Sequence, residues 1–72
     1  MIYELKRRVT NIDEIAFYLR EIKASRLGFK PDYTLIIEDG YKIHRYTTGS
    51  MMYYVHIKDA MCVKICVYEK AI

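Results

Sequence analysis

Residues 41–69 read YKIHRYTTGSMMYYVHIKDAMCVKICVYE, a run of β-branched and aromatic residues interrupted at TTGS (47–50) and at KDA (58–60). Such side chains fit a pleated, half-buried surface, whereas Gly, Ser and Asp supply the backbone conformations of tight turns. The stretch therefore reads as strands joined by hairpins. A further turn signal, EDG at 38–40, lies just upstream, so four strands are expected near 33–37, 41–47, 51–57 and 61–69.

Two more elements precede them. Residues 2–9 alternate, with Tyr3, Leu5 and Val9 on one side and Glu4, Lys6 and Arg8 on the other, and Arg7 breaks the pattern. This is a half-buried strand. In TNIDEIAFYLREIKASRLG (10–28), Asn11 is placed to cap a helix, with Glu14 three residues on, and Gly28 offers a left-handed stop. Ile12, Ile15, Ala16, Leu19 and Ile22 form one apolar stripe at helical spacing. Phe17 falls off the stripe and reads as lateral cover over a sheet edge.

Strand register follows from asking which turn lengths keep apolar residues together, because a slip of one residue sends every side chain to the other face. A three-residue loop, Glu38-Asp39-Gly40, sets Ile37 against Tyr41 and Leu35 against Ile43. The same logic sets Ile43 against Val55, Tyr41 against Ile57, Val55 against Val63, Tyr53 against Ile65 and Met51 against Val67. One face becomes continuously apolar, and the helix stripe must bury against it. The expected fold is α+β in a single domain over residues 1–72: one helix on one face of a mainly antiparallel sheet of four to five strands, ordered β-α-β-β-β-β with a C-terminal meander.

On that register the opposite face carries Lys42, His44 and Tyr46, then Met52, Tyr54 and His56, then Cys62, Lys64, Cys66 and Tyr68. His56 is expected opposite Cys62, with His44, Tyr54 and Lys64 in a row. Structural zinc needs four converging ligands, and two cysteines four apart along a strand diverge, so no metal or other cofactor is expected. A Cys62–His56 nucleophile pair lacks a third residue to orient the imidazole and a cleft to exclude water, so no enzyme is expected.

Two binding readings remain. Tyr and Met favour interface cores, so Lys42, His44, Tyr46, Met52, Tyr54, His56, Lys64 and Tyr68 form an expected partner-binding surface for a larger protein or protein complex. Tyrosines interleaved with Lys and His also suit single-stranded nucleic acid, where rings stack on bases and cations meet phosphates, although the basic-Gly-aromatic signature of an RRM sheet is missing. The last strand, MCVKICVY (61–68), has no Pro or Gly. As the edge of a simple meander it invites strand addition or a homodimer, with Lys64 as a guard against aggregation.

Composition narrows the class. The chain has 72 residues, 53% of them hydrophobic and 29% charged, with a net charge of +3. One domain of this size buries only about 60% of its unfolded surface, which leaves a thin core. The mild charge falls short of a dedicated duplex-DNA binder and suits an acidic protein or a weak nucleic-acid contact. KRR (6–8) with Arg20, Lys23, Arg26 and Lys30 offers a basic rim, although Glu21 between Arg20 and Lys23 mixes the helix's outer face.

Charge within the first eight residues, and no long apolar run, point to a cytoplasmic protein without a membrane partner. Cys62 and Cys66 are then expected reduced, being about 13 Å apart in a regular strand. The overall expectation is a non-enzymatic interaction domain of inhibitor or adaptor type; by analogy, stand-alone chains of this kind are often carried by viruses, phages or mobile elements. The alternative is a single-stranded nucleic-acid-binding protein.

Overall fold

A computed structural model describes residues 2–25 and 30–72. Its elements are β1 (Tyr3–Val9), α1 (Ile12–Ala24), β2 (Tyr33–Glu38), β3 (Tyr41–Thr48), β4 (Met51–Lys58) and β5 (Met61–Lys70). The strands form one antiparallel sheet in the order β1-β5-β4-β3-β2. The expected α+β architecture and C-terminal meander are present. The expected edge is not: β1 pairs with β5, so β5 is an interior strand and cannot accept another chain. That removes the C-terminal strand as a dimer edge and removes any guarding role for Lys64.

The helix starts where Asn11 caps it. The Asn11 side-chain oxygen accepts from the Asp13 N–H at 2.9 Å and the Glu14 N–H at 3.3 Å, and both acids complement the positive end of the helix. Glu14 also pairs with Arg7, linking the helix start to β1. At the other end the Ser25 hydroxyl donates to the Glu21 carbonyl at 2.8 Å. The expected stop at Gly28, and Arg26 of the basic rim, lie outside the described residues. Ile15 and Ile22 bury against Val9, Tyr46, Tyr53, Val55, Ile65 and Val67. Ile12 was expected on this stripe but is 73% exposed, because the first helical residue lies at the end of the stripe beyond the buried pair. Tyr18 joins the core instead, its ring 6.2 Å from that of Tyr53. Phe17 is exposed and meets Tyr18 edge to face.

Three register findings differ from expectation. Between β2 and β3, Leu35 does face Ile43, but Glu38 rather than Ile37 faces Tyr41, and Ile37 is the irregular residue beside the Asp39-Gly40 turn. Between β3 and β4 the register is shifted by one: Ile43 faces His56, His44 faces Val55 and Tyr46 faces Tyr53. The cause is a two-residue Gly49-Ser50 loop, with Gly49 at φ 55° closing the Thr48–Met51 pair. Between β4 and β5 the pairs are Tyr53–Val67 and Val55–Ile65, two residues from the expected ones, so the expected face is kept. An irregularity after His56 then sets Ile57 against Cys62 and leaves Val63 exposed rather than in the core.

β1 also shifts partway along. Leu5 faces Tyr68 and Arg7 faces Val67, so Lys6 is the extra residue. Tyr3 and Leu5 therefore lie on the face away from the helix and only Val9 enters the core, which separates three residues expected together.

Two hairpin turns abut at one end of the sheet. The Asp59 N–H donates to the Gly40 carbonyl at 2.7 Å, and Gly40 takes φ 79°, a left-handed conformation that favours glycine. The β4–β5 turn places Asp59 at φ 51° and Ala60 at φ 67°. Alanine in the left-handed region costs about 1–2 kcal/mol. Ala60→Gly is thus expected to raise stability by up to about 1 kcal/mol despite the added chain entropy, measured as a higher urea midpoint with unchanged slope. In the same assay Ile22→Ala should cost about 2–5 kcal/mol, whereas exposed Ile12→Ala should stay within about 0.5 kcal/mol.

Candidate functional site

Residues paired across neighbouring strands project to the same side of a sheet. Tyr54 pairs with Arg45 and Cys66, Met52 with Tyr68, and His56 with Ile43 and Lys64. All of these lie opposite the helix, and none of the helix-side core residues is among them. The Tyr54 and Tyr68 rings meet edge to face at 5.5 Å and 77°. The Tyr41 hydroxyl lies 2.9 Å from His56 Nδ1, across β3 and β4. In the neutral form with the proton on Nε2 the hydroxyl donates to Nδ1; otherwise Nδ1–H donates to the hydroxyl oxygen.

A cavity of about 400 Å³ opens at the centre of this face, lined by Tyr3, Met52, Tyr54, His56, Cys66 and Tyr68. Its origin is local. Cys66 is a small side chain on an interior strand, among Tyr54 across the ladder and Tyr68 two residues on, so a depression is left between large neighbours. Tyr3 closes one side because β1 adds to β5.

Around the cavity, pairing places Arg8, Arg45, Lys64 and Lys70 on the same face. Among the described strand residues, Glu38 is the only acid there, at the far corner beside Tyr41. The Arg45 guanidinium lies 5.5 Å from the centre of the Tyr33 ring, and its Nε is buried with no hydrogen-bond partner. The face is thus apolar at its middle and cationic at its rim.

Of the eight residues expected to bind a partner, Met52, Tyr54, His56, Lys64 and Tyr68 are brought together here. Lys42, His44 and Tyr46 are not. The one-residue shift of β3 turns them to the helix side, where Tyr46 is 4% exposed in the core and His44 bonds the Thr34 hydroxyl at 2.8 Å. Tyr3, Tyr41 and Arg45 take their places on the open face. The length of the Gly49-Ser50 loop is the sequence signal that could have found Tyr41 and Arg45; Tyr3 depends on where β1 joins the sheet.

The expected His56–Cys62 pairing is also replaced. His56 faces Lys64, while Cys62 faces Ile57 and packs on the core side. The two thiols are free and lie on opposite faces of β5. The Cys62 thiol donates to the Lys64 carbonyl at 3.7 Å, and burial pushes its pKa up, away from a reactive thiolate. Among the described residues no three His, Cys, Asp or Glu side chains gather closely enough to hold a metal ion, and no helix is long and apolar enough to cross a membrane.

The chain matches no known family model, no curated protein and no solved structure. The helix-free face itself offers an apolar depression at Cys66 and cationic side chains around it.

Burial first, and then the Lys64 charge, hold the His56 pKa below 6.5; burial and Lys42 do the same to His44. Each imidazole is thus protonated more readily in the unfolded chain. Its neutral form contributes fully above about pH 6.5, and that contribution is lost as the pH falls below this value towards the folded pKa. His56→Gln should therefore lose less stability than the natural chain when urea midpoints at pH 7.5 and pH 5 are compared. Equal losses would show that His56 protonation does not couple to folding. Cys62 should be alkylated by iodoacetamide no faster than a free thiol at neutral pH, with the rate rising only above the ordinary thiol range.

Proposed function

We infer that this chain is a small non-enzymatic interaction domain, of inhibitor or adaptor type, that binds a protein partner through the helix-free face of its sheet. The observation that carries the reading is the cavity at Cys66, walled by Tyr3, Tyr54 and Tyr68 and rimmed by arginine and lysine. Binding energy at protein interfaces concentrates in a few central, desolvated pockets lined by aromatic residues. Tyr and Met supply apolar area there, and a like-signed rim steers an oppositely charged partner. The fitting ligand is a segment that inserts one large apolar side chain and carries Asp or Glu on either side. No reacting group is required, and the raised thiol of Cys62 faces away from the cavity. Two free cysteines suit a reducing compartment such as the cytoplasm.

A second reading rests on a separate observation: aromatic rings and cations alternate across the same face, as on surfaces that hold single-stranded nucleic acid. The Tyr54–Tyr68 contact weighs against it, because an edge-to-face pair leaves fewer flat ring faces free for stacking.

Selection from a random peptide library tests both. Bound peptides should share one aromatic or large aliphatic residue flanked by acids. Tyr54→Ala should weaken them by about thirtyfold, the scale of a hot-spot residue. Cys66→Met, which fills the cavity, should abolish binding while leaving the far-UV spectrum unchanged. A library that yields no such motif, together with tight, salt-sensitive binding of single-stranded oligonucleotides, would favour the second reading.

A further inference from the structure

Among the side chains that line the cavity, His56 alone can carry a positive charge; the others are three tyrosines, Met52 and Cys66. Its ring is held from outside the cavity. Nδ1 lies 2.9 Å from the Tyr41 hydroxyl on β3, so Nε2 is turned away from Tyr41, and it has no hydrogen-bond partner among the described residues. The charge beside it is uncompensated as well. Lys6 pairs with Glu4 and Glu69, and Arg7 with Glu14. Lys64, which faces His56 across β4 and β5, and Arg8, which faces Cys66, form no ion pair among the described residues.

We propose that His56 Nε2, backed by Lys64, is a carboxylate subsite at one end of the cavity, and that an aromatic group seated over Cys66 with a carboxylate beside it binds there with uptake of one proton. This rests on the reading of the face as a binding surface, and adds its acid-selecting group and its response to pH. The spacing fits. His56 and Tyr54 lie two residues apart on β4, about 7 Å along the strand, so a short spacer carries a carboxylate from the cavity floor to the imidazole. Met52, Tyr68 and Tyr3 leave the other end apolar.

The Tyr41 hydroxyl allows the proton to be taken up without leaving a polar group unpaired. With the neutral ring protonated at Nε2, the hydroxyl donates to Nδ1 and Nε2–H is free to donate to the carboxylate. When solvent delivers a proton to Nδ1, the hydroxyl turns to accept from Nδ1–H, and Nε2–H makes a charge-assisted bond to the carboxylate. The groups that face the ring are Tyr41 and Ile43 from β3, Lys64 from β5, Tyr54 and Lys58 on β4 itself, and Tyr3 of β1 across the cavity. Glu38 stands beyond, next to Tyr41. Burial and then the Lys64 charge keep the free ring neutral at pH 7. A bound carboxylate opposes both effects and raises the His56 pKa in the complex. Affinity therefore strengthens as the pH falls between the pKa of the complex and that of the free protein, by up to about tenfold per pH unit.

The probes are 3-phenylpropanoate, whose carboxylate stays ionised from pH 6 to pH 8, and its amide. Both are titrated into the intact chain and followed by NMR. Each should perturb the Tyr54 and Tyr68 rings, but only the carboxylate should move the His56 titration to higher pH. Its dissociation constant should be lower at pH 6 than at pH 8 by about fivefold or more, and His56→Gln, which keeps a side-chain donor but cannot titrate, should bring that ratio to about one. A His56 titration that the carboxylate leaves in place, or a pH dependence that survives His56→Gln, overturns the subsite; if the amide still perturbs Tyr54 and Tyr68, the binding face stands without it. Failure of both compounds to perturb any lining ring also overturns the subsite, and the peptide library then decides the binding face by itself.

Discussion

The closure of the β3–β4 hairpin at Thr48 and Met51 is the constraint on which the rest of the structure depends. With only Gly49 and Ser50 in the loop, Tyr46 must face Tyr53, and each places its ring on the helix side. Together with Val55, Ile65 and Val67 they make the surface that Ile15 and Ile22 cover. Once Tyr46 is inside, Arg45 and Ile43 are necessarily outside, and the composition of the open face follows. A loop one residue longer would exchange the two sets along the whole of β3.

Both sides of the sheet are rich in apolar atoms, and this shapes the molecule. The helix has two fully committed residues, Ile15 and Ile22, and it packs chiefly over β5. The other face is filled by its own side chains: Tyr54 against Tyr68, Tyr41 against His56, Arg45 against Tyr33. Such contacts half-bury a surface without a covering layer, and they leave a gap above Cys66. Insertion of β1 beside β5 both walls that gap with Tyr3 and moves the free edges to β1 and β2. Face and edge are thereby separate features of one topology.

Small irregularities do much of the positioning. The extra residue at Lys6 sends Leu5 to the open face and Val9 to the core within one short strand. The irregularity at Val63 turns Cys62 inward while Cys66 stays on the open side, so residues four apart on β5 face opposite ways. The Asp59-Ala60 turn keeps both residues left-handed, a conformation that costs energy at alanine and is held by the strand pairing on either side.

The sequence by itself determined the elements. Turn signals at EDG, TTGS and KDA delimited β2 to β5 within about a residue, Asn11 located the helix start, and the apolar stripe identified Ile15 and Ile22; local backbone preference and side-chain spacing suffice for these. It also identified Tyr53, Val55, Ile65 and Val67 as core, because a two-residue error in register preserves the face. The faces of β3 and the place of β1 were decided only in the tertiary structure. Hydropathy could not separate Ile43 from Tyr46 when both sides of the sheet accept large side chains, so turn geometry and core packing made the choice. A strand's neighbour is set by long-range backbone pairing, of which Tyr3 and Leu5 carry no local mark, and that pairing made β5 interior and left β2 open.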